Sequence, residues 1–189
     1  MRQAAKTLFA ERGYEATTTA AIARMAGTSQ SQLIKHFVDK QGVLAAIFQD
    51  AWERINPALR LALGSIASPR ERMRVLRDMV LSFLEQDEAL RKLMLLEARR
   101  VRGDGHMTVL VPGFLEFIGI VDGVLEEMAA GGELDPRLPP QAVRSALMGT
   151  FEGLLRDRLL AETSGFPAAY TETDMRSVFQ TFLASVVRK

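Results

Sequence analysis

Apolar residues recur every three to four positions along most of the chain, which places them on one face of an α-helix. No segment alternates apolar and polar residues over a useful length, so we expect no β-sheet. Breaks rich in glycine, proline and hydroxyl residues divide the periodic segments into about nine helices. The pattern therefore predicts an all-α protein.

The first 45 residues predict three short helices, of which the second and third form a helix-turn-helix. A tight corner at Ala26-Gly27 separates these two helices. Thr17 or Thr18 caps the second helix and Thr28 or Ser29 caps the third, because a hydroxyl can accept a hydrogen bond from a free backbone N–H. Such a unit presents its second helix to the major groove of DNA.

The remaining segments predict a long connector helix and five further helices. The connector extends from Asp39 to about Leu63, and we expect Asn56-Pro57 to kink it or to end it one turn early. The sixth helix begins near Glu88 and stops at Gly103-Asp104-Gly105. Three more helices follow, separated by glycine and proline turns.

Composition narrows the class of protein. The chain has 189 residues, a formal net charge of +1 and 48% hydrophobic residues, the balance of an ordinary globular protein with no overall basic field. Without cysteine it has neither disulfides nor thiolate sites, and with His36 and His106 as its two histidines we expect no metal site. It has no apolar run of about 20 residues, so we expect a cytoplasmic protein that does not enter the membrane.

Catalytic patterns give no support to an enzyme. The sequence lacks the GxSxG, HExxH and glycine-rich phosphate-loop motifs, and its acidic residues lie mostly on polar helix faces. We expect neither enzyme activity nor a cofactor.

Residues 1–45, called the head below, contain a characteristic set of residues at fixed spacing: Ala4-Ala5, Leu8-Phe9, Gly13-Tyr14, Thr17-Thr18, Ile22-Ala23, Ala26-Gly27, Ser29, Leu33, His36-Phe37, Lys40 and Leu44. This set closely resembles the N-terminal domain of TetR-family transcriptional regulators, without a gap. The resemblance implies a DNA-binding domain in residues 1–45 and a helical ligand-binding and dimerisation domain in residues 46–189. It also implies a homodimer whose two reading helices enter successive major grooves of a palindromic operator.

The resemblance places phosphate contacts at the start of the second helix and around the end of the third, and base contacts along the third helix. By their chemistry Gln30 and Gln32 can read an adenine edge, whereas Lys35 can reach guanine or phosphate. The predicted DNA-binding residues are Thr17, Thr18, Ser29, Gln30, Ser31, Gln32, Ile34, Lys35, His36 and Lys40.

Three positions depart from the pattern of the family. Ile34 stands where an aromatic residue, most often tyrosine, contacts phosphate, so that contact is lost. Ser31 stands where glycine is common, which puts a close backbone approach to DNA in doubt. Met1 falls where the first helix normally has a turn behind it, so we expect either a late start or the loss of a basic arm.

Aromatic, aliphatic and methionine side chains, with Glu97, are candidates for the lining of an effector pocket: Phe48, Trp52, Ile55, Met73, Met79, Phe83, Met94, Glu97, Phe114, Phe117 and Phe151. The resemblance implies a cavity between the connector and the helices that follow. The apolar members are equally consistent with a filled core, although methionine suits an adaptable lining. Glu97 either pairs with Arg100 or another neighbouring base, or binds a cationic or hydroxylated ligand.

The last two helices carry wide apolar faces that either complete the core of the protomer or join a partner in a four-helix bundle. The resemblance favours the bundle. The candidate interface residues are Phe151, Leu154, Leu155, Phe179, Phe182, Leu183 and Val186.

We therefore predict a ligand-responsive repressor that binds double-stranded operator DNA and leaves it when a small molecule tilts the connector. Two alternatives stay open. One is a regulator with a filled core that a protein partner controls. The other is a helical ligand-binding or partner-binding protein whose operator binding is weak or lost.

Overall fold

The computed structural model describes residues 1–98, 100–102, 106–107 and 110–188. Within these ranges the chain forms nine α-helices: α1 (Arg2–Arg12), α2 (Thr19–Met25), α3 (Gln30–Phe37), α4 (Lys40–Gly64), α5 (Pro69–Glu85), α6 (Glu88–Leu96), α7 (Pro112–Ala130), α8 (Pro140–Ser164) and α9 (Glu172–Val186). The prediction of an all-α architecture is confirmed.

Two strands of two residues each, β1 (Val101–Arg102) and β2 (His106–Met107), correct the expectation of no sheet. They pair antiparallel, with Val101 opposite Met107. Strands of two residues are too short to produce a recognisable alternation of apolar and polar residues in the sequence. The predicted end of the sixth helix was also wrong, because α6 ends at Leu96 and Val101 pairs in the ladder instead. The glycines at 103 and 105 lie outside the described residues.

The connector continues through Pro57 to Gly64, so it does not end one turn early. Asp39 caps its start, since the Gly42 N–H donates to Asp39 Oδ1 at 2.7 Å. No helix in the described ranges has both the length and the apolar character that a bilayer crossing requires.

The described chain divides into two compact units. The first contains residues 1–58 and 80–117, and the second contains residues 59–79 and 118–189. Their boundaries fall inside α4, α5 and α7. The functional boundary expected at residue 45 stays a prediction.

The first unit has a small core beneath the helix-turn-helix. Phe9, Ile22 and Leu33 are buried side chains of α1, α2 and α3 respectively. Tyr14 is also buried, with its ring 5.1 Å from the ring of Phe9. These apolar anchors hold the three short helices in place and leave the polar side of α3 outside.

The second unit is a helical body in which α8 packs against α9. The buried Arg77 of α5 donates to Asp78 Oδ1, and its guanidinium carbon lies 5.4 Å from the centre of the Phe179 ring on α9. Asp78 also accepts a hydrogen bond from Arg176. Arg77 and Arg176 therefore tie α9 to α5 through Phe179 and Asp78.

Candidate nucleic-acid interface

Two hydroxyl caps fix the ends of the helix-turn-helix. The Ala21 N–H donates to Thr18 Oγ1 at 3.1 Å, and the Gln32 N–H donates to Ser29 Oγ at 3.2 Å. Thr18 therefore caps α2 and Ser29 caps α3, which decides between the two alternatives that the sequence left at each position.

Thr17 has a structural role instead of the predicted phosphate contact. Its side chain is 1% exposed, and its hydroxyl donates to the carbonyl oxygens of Leu8, at 3.2 Å, and Gly13, at 2.8 Å. A hydroxyl held inside the core cannot reach a phosphate. It joins the loop before α2 to the end of α1.

The outer face of α3 is polar and accessible. Leu33 is fully buried, whereas six of its helix neighbours are exposed: Gln30, Ser31, Gln32, Ile34, Lys35 and His36. Leu33 thus anchors the helix while these six side chains face solvent, as a reading helix requires.

Two threonines orient the amides on this face. Gln30 Nε2 donates to Thr19 Oγ1 at 3.0 Å, and Thr28 Oγ1 donates to Gln32 Oε1 at 2.7 Å. Both bonds are solvent-exposed, so they can be exchanged for bonds to a base edge. They reduce the rotamer freedom that each glutamine has to lose on binding DNA.

Lys40 is held by the turn between α1 and α2. Its ammonium nitrogen donates to the carbonyl oxygens of Tyr14 at 2.9 Å and Glu15 at 3.3 Å, and it lies 4.3 Å from the centre of the Tyr14 ring. In the structure the ammonium therefore serves the turn between α1 and α2, and a phosphate contact by Lys40 stays a prediction.

The turn from α3 to α4 is tight, and the sequence pattern did not reveal it. Val38 has φ 67° and ψ −56°, and the Asp39 N–H donates to the Phe37 carbonyl at 2.7 Å, the geometry of a classic γ-turn. A Cβ at Gly42 would lie 1.9 Å from the Phe37 carbonyl oxygen. Only glycine fits there, so Gly42 sets how closely α4 follows the reading helix.

A half-buried ion pair joins α1 to α6. Lys6 donates to Asp87, whose other carboxylate oxygen caps α6 by accepting the Leu90 N–H at 3.0 Å. Arg2 and Asp50 lie 3.4 Å apart in the same groove between α1, α4 and α6, which has a volume of about 210 Å³. The pair connects the first helix of the head to the helix that follows α5.

The first turn of α7 is clasped by α4. The Gly113 N–H donates to Gln49 Oε1 at 2.9 Å, and Asn56 Nδ2 donates to the Gly113 carbonyl at 2.8 Å. A Cβ at Gly113 would lie 2.7 Å from Trp52 Cβ, so glycine allows this approach. The polar Asn56 on an otherwise apolar helix face was the sequence signal for this clasp.

Eight of the eleven pocket candidates belong to the first unit, and Met73, Met79 and Phe151 belong to the second. Trp52 stacks on Phe117 at 4.7 Å between ring centres and is tilted against Phe114 at 5.4 Å.

The other five candidates of the first unit, Phe48, Ile55, Phe83, Met94 and Glu97, differ in burial and contacts. Phe48 and Ile55 are buried, Met94 is half-buried, and Phe83 lies beneath Arg54. Glu97 pairs with Arg100 at 3.3 Å, which is the first of the two alternatives that the sequence leaves open for it.

The apolar candidates on α8 and α9 separate into two groups. Leu155, Phe179 and Val186 are buried within the protomer, so they complete its own core and do not form an outer face. The other four are half-buried and accessible to a partner: Phe151, Leu154, Phe182 and Leu183. The ring of the half-buried Phe151 packs edge to face against the buried ring of Phe179, with 6.3 Å between the ring centres.

Comparison with known proteins agrees with this geometry. Residues 2–47 match the sequence model described as bacterial regulatory proteins, tetR family. The chain is 24% identical over 151 residues to the fatty acid metabolism regulator protein of Bacillus subtilis, covering 79% of this chain and 76% of that protein. It is 32% identical over 84 residues to the HTH-type transcriptional activator FasR of Mycolicibacterium smegmatis, covering 44% and 38% of the two chains.

A solved structure shares the fold of the whole chain. The transcriptional regulator FadR from Bacillus subtilis, crystallised in complex with stearoyl-CoA, superposes with a TM-score of 0.81 at 20% identity, covering 98% of this chain and 95% of that one. The head matches the family model, and the body has the fold of a regulator of this kind. Residues 2–47 are thus a helix-turn-helix domain of the tetR family, and the chain is a DNA-binding transcriptional regulator.

Proposed function

We propose that this regulator is a dimeric repressor that binds a two-fold-symmetric operator and leaves it when a long-chain acyl compound binds within residues 46–189. The observation that carries the DNA-binding part is the polar outer face of α3, held on one buried leucine. A two-fold dimer matches half-sites one helical turn apart, about 34–36 Å, or a multiple of this distance. As a DNA-binding protein it would act in the cytoplasm.

On this face we assign base reading to Gln30, Gln32 and Lys35. Phosphate contacts fall to Thr18 and to His36, because Thr17 and Lys40 are occupied inside the head. The hydroxyl of Ser29 accepts the capping hydrogen bond of α3, and the residue remains exposed. Ser31 can donate a hydrogen bond to several bases or accept one from them.

The acyl class of effector rests on the similarity to regulators of fatty acid metabolism, one of them crystallised with stearoyl-CoA. The buried aromatic cluster of Trp52, Phe114 and Phe117 is in keeping with an apolar ligand, since such sites are lined mainly by apolar and aromatic side chains. Dimerisation through α8 and α9 is supported by the four half-buried apolar residues on those helices.

The direct test is a salt-dependent titration of the purified protein with DNA from upstream of its own gene and with scrambled duplex. We expect preferential binding to the upstream DNA, and release on addition of stearoyl-CoA but not of free coenzyme A. Equal affinity for both duplexes would refute operator recognition. Sedimentation of the protein with and without DNA gives the oligomeric state.

A second candidate function, ligand binding with a weakened grip on DNA, is favoured by one observation. Ile34 is 38% exposed on α3 and can make no hydrogen bond where the family usually has tyrosine. The same titration separates the two functions, because a ligand-binding protein without an operator responds to stearoyl-CoA yet treats all duplexes alike.

A further inference from the structure

The buried face of α4 holds two polar atoms that remain unpaired. Trp52 is 5% exposed and Asn56 is 1% exposed. Within the described parts of the chain, neither Trp52 Nε1 nor Asn56 Oδ1 has a hydrogen-bond partner. A buried polar atom without a partner loses the bond that it makes to water in the unfolded chain, so each of the two requires a reason.

Neighbouring contacts fix which atoms are left over. Asn56 Nδ2 donates to the Gly113 carbonyl at 2.8 Å, and a flipped amide would place one oxygen against another. Oδ1 is therefore the free atom of Asn56. The Trp52 indole is held by Phe117 and Phe114 and by the close approach of Gly113, so the direction of its N–H is fixed as well.

Residues four positions apart lie on the same side of a helix, with Cβ atoms about 5–6 Å apart. Trp52 and Asn56 are such a pair on α4, in which Trp52 Nε1 is a hydrogen-bond donor and Asn56 Oδ1 is an acceptor. A carboxylate lacks the donor that Asn56 Oδ1 needs, an ammonium lacks the acceptor that Trp52 Nε1 needs, and an alkyl chain lacks both. A hydroxyl or a secondary amide supplies the complementary pair.

We propose that Trp52 and Asn56 form a two-point polar anchor for an effector group that both accepts and donates a hydrogen bond. The proposal rests on the effector-binding function proposed above and gives the polar chemistry of the ligand. Long-chain acyl compounds carry such a group in two places: the secondary amides of the pantetheine arm of an acyl-CoA, and a hydroxyl on the acyl chain itself.

Trp52 is the one tryptophan of the chain, so its indole N–H gives a single signal in a ¹⁵N–¹H spectrum. Three probes share one chain length: S-octadecanoyl-N-acetylcysteamine carries a secondary amide, hydroxy-substituted methyl octadecanoate carries a hydroxyl, and methyl octadecanoate carries neither donor. We expect the amide or the hydroxyl compound to move the indole proton downfield and to slow its exchange with solvent. Methyl octadecanoate, whose ester carbonyl can accept a hydrogen bond but which has no donor for Asn56 Oδ1, should give a smaller shift and faster exchange. The compound that produces the shift identifies the source of the group.

Variants separate the anchor from the surrounding fold. Trp52→Phe keeps an aromatic ring and the bond from Asn56 to Gly113 but removes the donor. By calorimetry we expect about a tenfold loss of affinity for the anchored compound and less than about a twofold loss for methyl octadecanoate. Asn56→Leu removes the acceptor and should discriminate in the same way. The matched control is Gln49→Leu, which breaks the other half of the clasp and should change the affinity for all three compounds alike.

Three outcomes overturn the anchor. An indole signal that is already downfield in the free protein and that no compound moves means that water completes the pair. Binding by all three compounds with equal shifts and equal losses in the variants refutes the anchor alone. If none of the three compounds binds, the proposed effector is refuted together with the anchor.

Discussion

Lys6 and Asp87 form an ion pair whose side chains are only 14% and 19% exposed. Burial acts to raise the pKa of the Asp87 carboxyl, but the hydrogen bonds from Lys6 and from the Leu90 N–H outweigh it, so the pKa is lowered from its ordinary value. The carboxylate serves two elements at once, since it caps α6 and holds the ammonium of α1.

Asp87→Asn tests this pair, because asparagine still caps a helix but carries no charge. We expect the free energy of unfolding near neutral pH to fall by about 1–2 kcal/mol. Because the pKa of Asp87 is lowered in the folded state, the ionised carboxylate stabilises the fold at pH values above its unfolded pKa of about 4. This contribution is lost as the pH falls through the folded pKa. Chemical denaturation at neutral pH and in acid should therefore show a smaller difference in unfolding free energy between the protein and its variant in acid. Asp50→Asn is the control, since its exposed pair with Arg2 should contribute less than about 0.5 kcal/mol. A difference that does not change with pH would contradict the ionic origin.

Gly113→Ala tests the close approach of α7 to α4. The added methyl would lie 2.7 Å from Trp52 Cβ, so we expect a loss of about 1–3 kcal/mol in thermal denaturation. Gly119→Ala, on the same helix with no atom within 4 Å of the new Cβ, should instead stabilise by up to about 1 kcal/mol. Equal effects of the two substitutions would mean that α4 and α7 do not meet as described.

Val38→Gly tests the γ-turn between α3 and α4. A β-branched residue at φ 67° is strained, so glycine should stabilise the folded state, although the added freedom of the unfolded chain offsets part of the gain. We expect a net stabilisation of about 0.5 kcal/mol by chemical denaturation. Val178→Gly, an exposed position on the helix α9, should destabilise by roughly 1 kcal/mol. Destabilisation by both would rule out strain at Val38.

Lys35 and Lys40 should respond differently to alanine. Lys35→Ala should weaken binding to all DNA sequences and lower the salt slope by about 1 if it contacts phosphate, or relax one base position if it reads guanine. Lys40→Ala should chiefly lower the melting temperature of the head, because it removes the bonds to the Tyr14 and Glu15 carbonyls. A Lys40 variant with normal stability and a reduced salt slope would restore it to the phosphate set.

Gln30→Ala and Gln32→Ala test base reading. Each should cost about 1–3 kcal/mol of binding at one preferred base pair and almost nothing once that base pair is changed. A titration of operator variants against both proteins measures this directly. A loss that is equal for all operator variants would assign the glutamines to the DNA backbone.

Much of the fold and part of the site follow from local sequence. The 3.6-residue period located the nine helices of the described chain, and the hydroxyl caps placed α2 and α3 within a residue. The period does not distinguish a side chain that faces a partner subunit from one that faces its own core, so it leaves the burial of Leu155, Phe179 and Val186 within the protomer unpredicted. It also does not show where a hydroxyl or an ammonium finds a carbonyl, so the bonds of Thr17 and Lys40 within the head do not follow from the resemblance that places these residues at DNA.

The contacts that hold residues 1–45 together come mostly from side chains other than the six exposed ones on α3. Thr17 bonds to carbonyls at the end of α1, Lys40 bonds to carbonyls of the turn between α1 and α2, and Leu33 anchors α3 from behind. Substitutions at the outward positions of α3 therefore leave the folding contacts intact. Operator preference can drift during evolution, or be exchanged by grafting, at little cost in stability.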